Sequence, residues 1–299
     1  MLPVFESRVL QVDDTPLGTR LVIHLPPAQG VVRGLVVHVH AFAEEMNKSR
    51  RMVAMQSRAL AAAGFAVLQI DLLGCGDSAG DFGDATWARW LDDVVAAVKW
   101  LQQQHTPGEG ETPPPLWLWG LRAGALLATE AAARLARDGE GCHLLLWQPA
   151  PAGKLLLQQF LRLKAAADLL AGQGKAAMEQ LRAQIAADQP VEIAGYQLAP
   201  ALCRGLEQAQ LHPPAGMPAG RLVWLEVAAV EQPALAPAGA ATLAAWRGAG
   251  WSVQAQAVHG PTFWQTTEIE DAPELIAATL AALQAEAMPA AMQAETLPA

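Results

Sequence analysis

The stretch LWLWGLRAG at 116–124 runs apolar into Gly120, sets Arg122 between Leu121 and Ala123, and closes on Gly124. Its outline is G-x-[ ]-x-G, the sharp strand-to-helix turn on which enzymes present an attacking Ser, Cys or Asp at a helix N-terminus. Here the tip is an arginine. A guanidinium stays protonated and has no lone pair to offer an acyl carbon. It grips carboxylate or phosphate through paired hydrogen bonds instead. The helix N-terminus favours the same sign of guest. A cation is costly there unless an anion or acidic side chain answers it. Glu44 and Glu45 are the nearest acids by topology. Two readings follow: Arg122 receives an anionic ligand, or it pairs with one of these glutamates and plugs a dead site.

Three further stretches carry chemistry. HVHAFAEEMNKSRR (38–51) ends a strand at His40 and crowds Glu44, Glu45 and Asn47 at the start of a helix. The glutamates either face a pocket or favour the helix N-terminus by charge. DLLGCGDSAGDF (71–82) has the form D-x-x-G-x-G-x-S. Cys75 and Ser78 are nucleophiles by chemistry, but Asp and Ser in such a loop tie turns by local hydrogen bonds. VHGPTFWQTTEIEDAPELI (258–276) places His259 after the last strand pattern, with Phe263 and Trp264 lining a pocket or anchoring a helix. The histidines show no metal-ligand spacing, and no glycine-rich nucleotide loop is present, so neither a metal nor a cofactor is expected.

The elements that must position these residues alternate. Apolar runs at 21–25, 34–40, 65–71, 115–120, 143–149, 221–227 and 252–258 read as strands, several covered on both faces. Helical patterns cover Lys48–Ala63, Trp87–Gln104, Ala123–Arg137, Gly239–Gly250 and Pro273–Ala285. That alternation predicts an α/β protein with a mainly parallel, doubly wound sheet. From 151 to 218 no strand is expected, and LLLQQFLRLKAAADLLAG, AAMEQLRAQIAA and EIAGYQLAPALCRGLEQ read as helices. A helical cap at 151–218 would then lie over a core of 1–150 and 219–299, shaping a pocket at the strands' carboxyl ends. The tail after Leu283 is expected to be loosely held.

Composition narrows the class. A 299-residue chain that is 52% hydrophobic builds a large core, and a formal charge of −9 without a basic stripe excludes nucleic acid as main partner. Three scattered cysteines, Cys75, Cys142 and Cys203, fit a reducing compartment. No signal-peptide pattern or membrane span is found, so a cytoplasmic protein is expected.

Taken in chain order, the four stretches resemble the α/β-hydrolase fold over roughly residues 15 to 285. HAFAEEMNKSRRMVAMQSRALAAAGFAVLQIDLLGCGDSAGDF, PLWLWGLRAGALLA and FWQTTEIEDAPELIAATL resemble the exosortase A system-associated hydrolases of the second type. The resemblance implies an eight-stranded sheet with a helical cap. It also implies an oxyanion hole from the N–H groups of Phe42 and Ala123 beside His40. His259 would be the base, and Glu231 the acid after RLVWLEV, with Glu226 inside that strand. Its setting would be the PEP-CTERM sorting and exopolysaccharide export machinery, with envelope-export proteins as partners. The ligand would be an ester, thioester or amide, hydrolysed through water, Ser78 or Cys75. The alternative is a non-catalytic protein that binds an acyl or other anionic small molecule, or serves as a scaffold.

Overall fold

In a computed structural model the structure describes residues 5–28, 30, 32–169, 174–213 and 216–285. The tail expected to be loosely held lies, from 286 onward, outside the described residues. Among those described, one sheet has eight strands: β1 (Glu6–Gln11), β2 (Thr19–Leu25), β3 (Gly34–Val39), β4 (Phe65–Ile70), β5 (Leu116–Leu121), β6 (His143–Trp147), β9 (Arg221–Ala228) and β10 (Ser252–His259). Their order is β1-β2-β4-β3-β5-β6-β9-β10. β2 runs antiparallel to both β1 and β4, and every later pairing is parallel. This is the mainly parallel, doubly wound architecture.

Apolar residues on both faces of the central strands explain the two helical layers. Val36, Trp117, Trp119, Leu145, Trp147 and Leu225 pack against α1 (Glu44–Ala62) and α8 (Pro273–Gln284). The alternate residues Val37, Leu118, Leu144, Leu146 and Trp224 pack against α2 (Trp87–Gln104), α3 (Ala123–Arg137) and α7 (Ala240–Gly248). β1 was not expected from sequence. Its ESRVLQ is largely polar and exposed, because an edge strand needs only its backbone to join the sheet.

Between β6 and β9 the chain leaves the sheet through α4 (Gly153–Leu169), α5 (Gly174–Ala186), a hairpin of β7 (Val191–Ile193) and β8 (Tyr196–Leu198), and α6 (Pro200–Gln208). The hairpin corrects the reading of this segment as strandless. Ile193 pairs with Tyr196 across the two residues Ala194 and Gly195, both at positive φ (50° and 84°). That is the backbone of a tight hairpin turn, but Ala-Gly is a weaker signal of it than Asn-Gly. The excursion is closed at its base, where Leu211 N–H donates to Pro151 O and Gly153 N–H to Ala209 O, each at 2.9 Å.

Candidate active site at the Arg122 turn

Arg122 links β5 to α3 with φ 56° and ψ −114°, a conformation few non-glycine residues adopt. Its backbone is pinned, its N–H donating to Trp147 O at 3.0 Å and its carbonyl accepting from Ala125 N–H at 3.1 Å. Small flanks are compulsory. A Cβ on Gly120 would lie 2.5 Å from Ala125 Cα, and one on Gly124 would lie 2.2 Å from Val39 O. Two neighbours at the same sheet edge share the strain: Ala43 (φ 51°), capping α1, and Gln148 (φ 41°), following β6. Such outliers cluster where a site is held in shape against local preference.

Around this turn lies a cavity of about 640 Å³, within the usual range for small-molecule sites. One end is charged, with Arg122, Glu45, Glu44 and Lys48; Gln148, Gln159, Gln265 and Thr262 add polar groups. Phe42, Leu156, Phe160, Leu163 and Trp264 form an apolar wall, and α4 supplies three of these.

The Arg122 side chain is 11% exposed and lies against Glu45. Its Nη2 is 3.2 Å from Glu45 Oε1, and its Nε is 3.3 and 3.4 Å from the two oxygens. Nη2 also donates to Gln159 Oε1 at 3.2 Å, and the guanidinium carbon sits 5.7 Å from the Trp264 ring centre. One arginine thus joins α1, α4 and the loop after β10. Gln265 Nε2 adds a 3.4 Å contact to Glu45 Oε1. Glu44 turns elsewhere, accepting from Tyr196 O–H at 3.0 Å and Asn47 Nδ2 at 3.2 Å. Burial first, and then this carboxylate, push the Tyr196 hydroxyl up to about 12.

The N–H groups of Phe42 and Ala123 have no hydrogen-bond partner among the described residues. The Phe42 ring is clamped edge-on by Phe82 and Phe160.

The remaining candidates fall outside the cavity. His259 ends the edge strand β10 and is half exposed. Its N–H donates to Glu274 Oε2 at 3.1 Å, and its Nδ1 lies 3.8 Å from Glu274 Oε1, over the first turn of α8. The loop that follows brings Thr262, Trp264 and Gln265 to the cavity in its place. His40 is buried, its Nδ1–H donating to Ala41 O at 2.8 Å and its Nε2 accepting from Leu72 N–H at 3.3 Å. Burial lowers its pKa, and both ring nitrogens are engaged in tying two loops together. Ser78 hydrogen-bonds Asp71 O and accepts from Leu21 N–H at 2.9 Å, and Asp71 accepts from Asp77 N–H at 3.1 Å. The loop is tied as such sequences tie turns. Cys75 is buried, and burial pushes its thiol well above the ordinary range, against the thiolate form that attack requires. Glu231 is exposed. Glu226 is consumed internally, accepting from Trp224 Nε1 and Ala236 N–H at 2.7 Å each. No group of three or more His, Cys, Asp or Glu that could hold a metal occurs among the described residues.

Sequence reasoning missed Lys48, Gln148, Gln159 and Gln265. Amides and a lone lysine belong to no motif; only the positive φ of Gln148 marks it, and φ cannot be read from a sequence.

Solved structures share this frame. A thermostable carboxyl esterase from Bacillus coagulans, in complex with glycerol, superposes with a TM-score of 0.60 at 16% identity over 94% of this chain and 98% of that one. A hyperthermophilic esterase from Pyrobaculum calidifontis gives 0.58 at 15% over 98% and 87%. Est1E from Butyrivibrio proteoclasticus, with ferulic acid bound, gives 0.56 at 16% over 93% and 96%. Sheet, helices and these likenesses define the α/β-hydrolase fold. Residues 30–212, more than half of the chain, match the Hydrolase_4 family of S33 serine aminopeptidases, and the chain belongs to that family. No curated protein matches it in sequence. No described helix is long and apolar enough to cross a membrane.

Proposed function

We propose that this chain is a ligand-binding member of its hydrolase family, in which the position of the attacking group is given to a receptor for anions. The observation that carries this is the chemistry of the cavity wall. Among the described residues that line it, the cationic groups are Arg122 and Lys48, none is a histidine, and Thr262 carries the one hydroxyl. Proton transfer and nucleophilic attack need a nucleophile within hydrogen-bond reach of a base. A cation flanked by free N–H groups binds negative charge instead.

Hydrolysis through a directly activated water is the second reading, favoured by the unpartnered N–H groups of Phe42 and Ala123, which match an oxyanion hole. Ester turnover by the wild type separates the two: nitrophenyl ester hydrolysis is expected to stay at background, and hydrolysis above background that Arg122→Gln removes would overturn the binding reading. With His259 turned toward Glu274, Arg122→Ser is also expected to stay at background and unlabelled by fluorophosphonate; turnover or labelling that appears only with the new serine would restore His259 as base. The resemblance to exosortase A system-associated hydrolases supports a place beside the PEP-CTERM sorting and exopolysaccharide export machinery, on its cytoplasmic side, with envelope-export proteins as partners.

A further inference from the structure

We infer that the ligand of the Arg122 cavity is a carboxylate carried on an apolar chain, and that Glu45 is the internal carboxylate it displaces. This rests on the anion-binding reading above and specifies its ligand.

The head group follows from what already sits on Arg122. Glu45 lies against the Nε/Nη2 edge of the guanidinium, the side that accepts a planar carboxylate. The fit is loose, at 3.2–3.4 Å. The same protein closes Arg51 onto Asp271 with two contacts of 2.8 Å, the length expected of a charge-assisted pair. A contact stretched by half an ångström, less than a quarter exposed at either end, is one that a better-seated carboxylate replaces.

Several donors around it are unpartnered. Arg122 Nη1, Phe42 N–H and Ala123 N–H have no partner among the described residues, and Lys48 has no carboxylate partner there. Trp264 Nε1 is buried beside the cavity and also unpartnered. The displaced Glu45 has an amide contact already in place at Gln265 and the Lys48 ammonium three residues along α1.

The tail follows from the wall. Leu156, Phe160 and Leu163 of α4, with Phe42 and Trp264, give the cavity an apolar side that a small inorganic anion would leave exposed to water.

Titration calorimetry on the full chain tests both halves, with decanoate, acetate and decanol offered to the wild type, Glu45→Gln, Glu45→Ala and Arg122→Gln. Circular dichroism and thermal melting establish that each variant is folded. Decanoate is expected to bind the wild type. Removing the charge at Glu45 should tighten it by about two- to fivefold, the size of a partly exposed ion pair. Arg122→Gln should abolish binding, and decanol should bind at least about tenfold more weakly. If acetate binds as tightly as decanoate through Arg122, the tail assignment falls and the anion reading stands. If neither Glu45 variant binds more tightly, displacement is wrong. If folded wild type and Glu45→Gln bind no anion at all, the underlying reading fails with it.

Discussion

Arg122 shows that a strained turn can hold its shape independently of the side chain at its tip. The conformation at φ 56° is set by the glycine flanks and two backbone hydrogen bonds, none of which uses the side chain at the tip. The turn and its cation were therefore legible in the sequence, and so were the two glutamates that could answer it. Which glutamate does so was not: Glu44 and Glu45 are adjacent, and a helix start splays neighbouring side chains apart, one toward Tyr196 and one toward Arg122. A second ion pair makes the contrast at this scale. Arg20 and Asp93 meet at 2.7 Å with both side chains fully buried. Asp93 also accepts from Leu73 N–H, and Arg20 donates to Thr19 O. Asp93→Ala would strand a buried guanidinium and should cost about 3–5 kcal/mol in urea unfolding. Replacing both residues with apolar ones of similar volume should recover most of that. A single variant that loses under about 1 kcal/mol would show that water reaches the pair.

Among the elements, the helices flanking the parallel strands were readable because both obey simple periods. Trp87–Gln104 and Ala123–Arg137 coincide with the patterns that predicted them. The hairpin of β7 and β8 was not readable, since three-residue strands are too short for alternation to stand out. Yet the hairpin carries Tyr196, which fastens the excursion to α1 through Glu44 and Asn47 and leans on Phe82 at 5.0 Å. Tyr196→Phe keeps the ring and removes the hydroxyl. A hydrogen bond to a charged group is worth about 1.5–3 kcal/mol, so amide exchange in residues 191–198 should accelerate by roughly tenfold or more, with β3 and β5 unchanged. Unaltered exchange across the hairpin would mean that ring packing alone holds it.

At the scale of the whole molecule, buried imidazoles give the fold a pH limit. Burial holds His38 down to about 3, and His24 and His143 down to about 4. An unfolded chain protonates these rings near 6.5. Each contribution is fully present above that value and is lost as pH falls toward the folded pKa, because the unfolded state then binds the extra proton. Urea midpoints should be flat from pH 8 to 7 and fall steadily between about 6.5 and 4. His38→Gln should shallow that fall by up to about 1.4 kcal/mol per pH unit. A slope unchanged by the substitution would assign the acid sensitivity to other groups.

The backbone clasp between 151–153 and 209–211 has an evolutionary corollary. Because the excursion departs and returns at one spot, altering its length changes only the entropy of a closed loop, about 0.6 kcal/mol for each doubling. The pairing of β6 with β9 proceeds regardless. Descendants can therefore remodel the wall that α4 lends the cavity while inheriting the sheet beneath it unaltered.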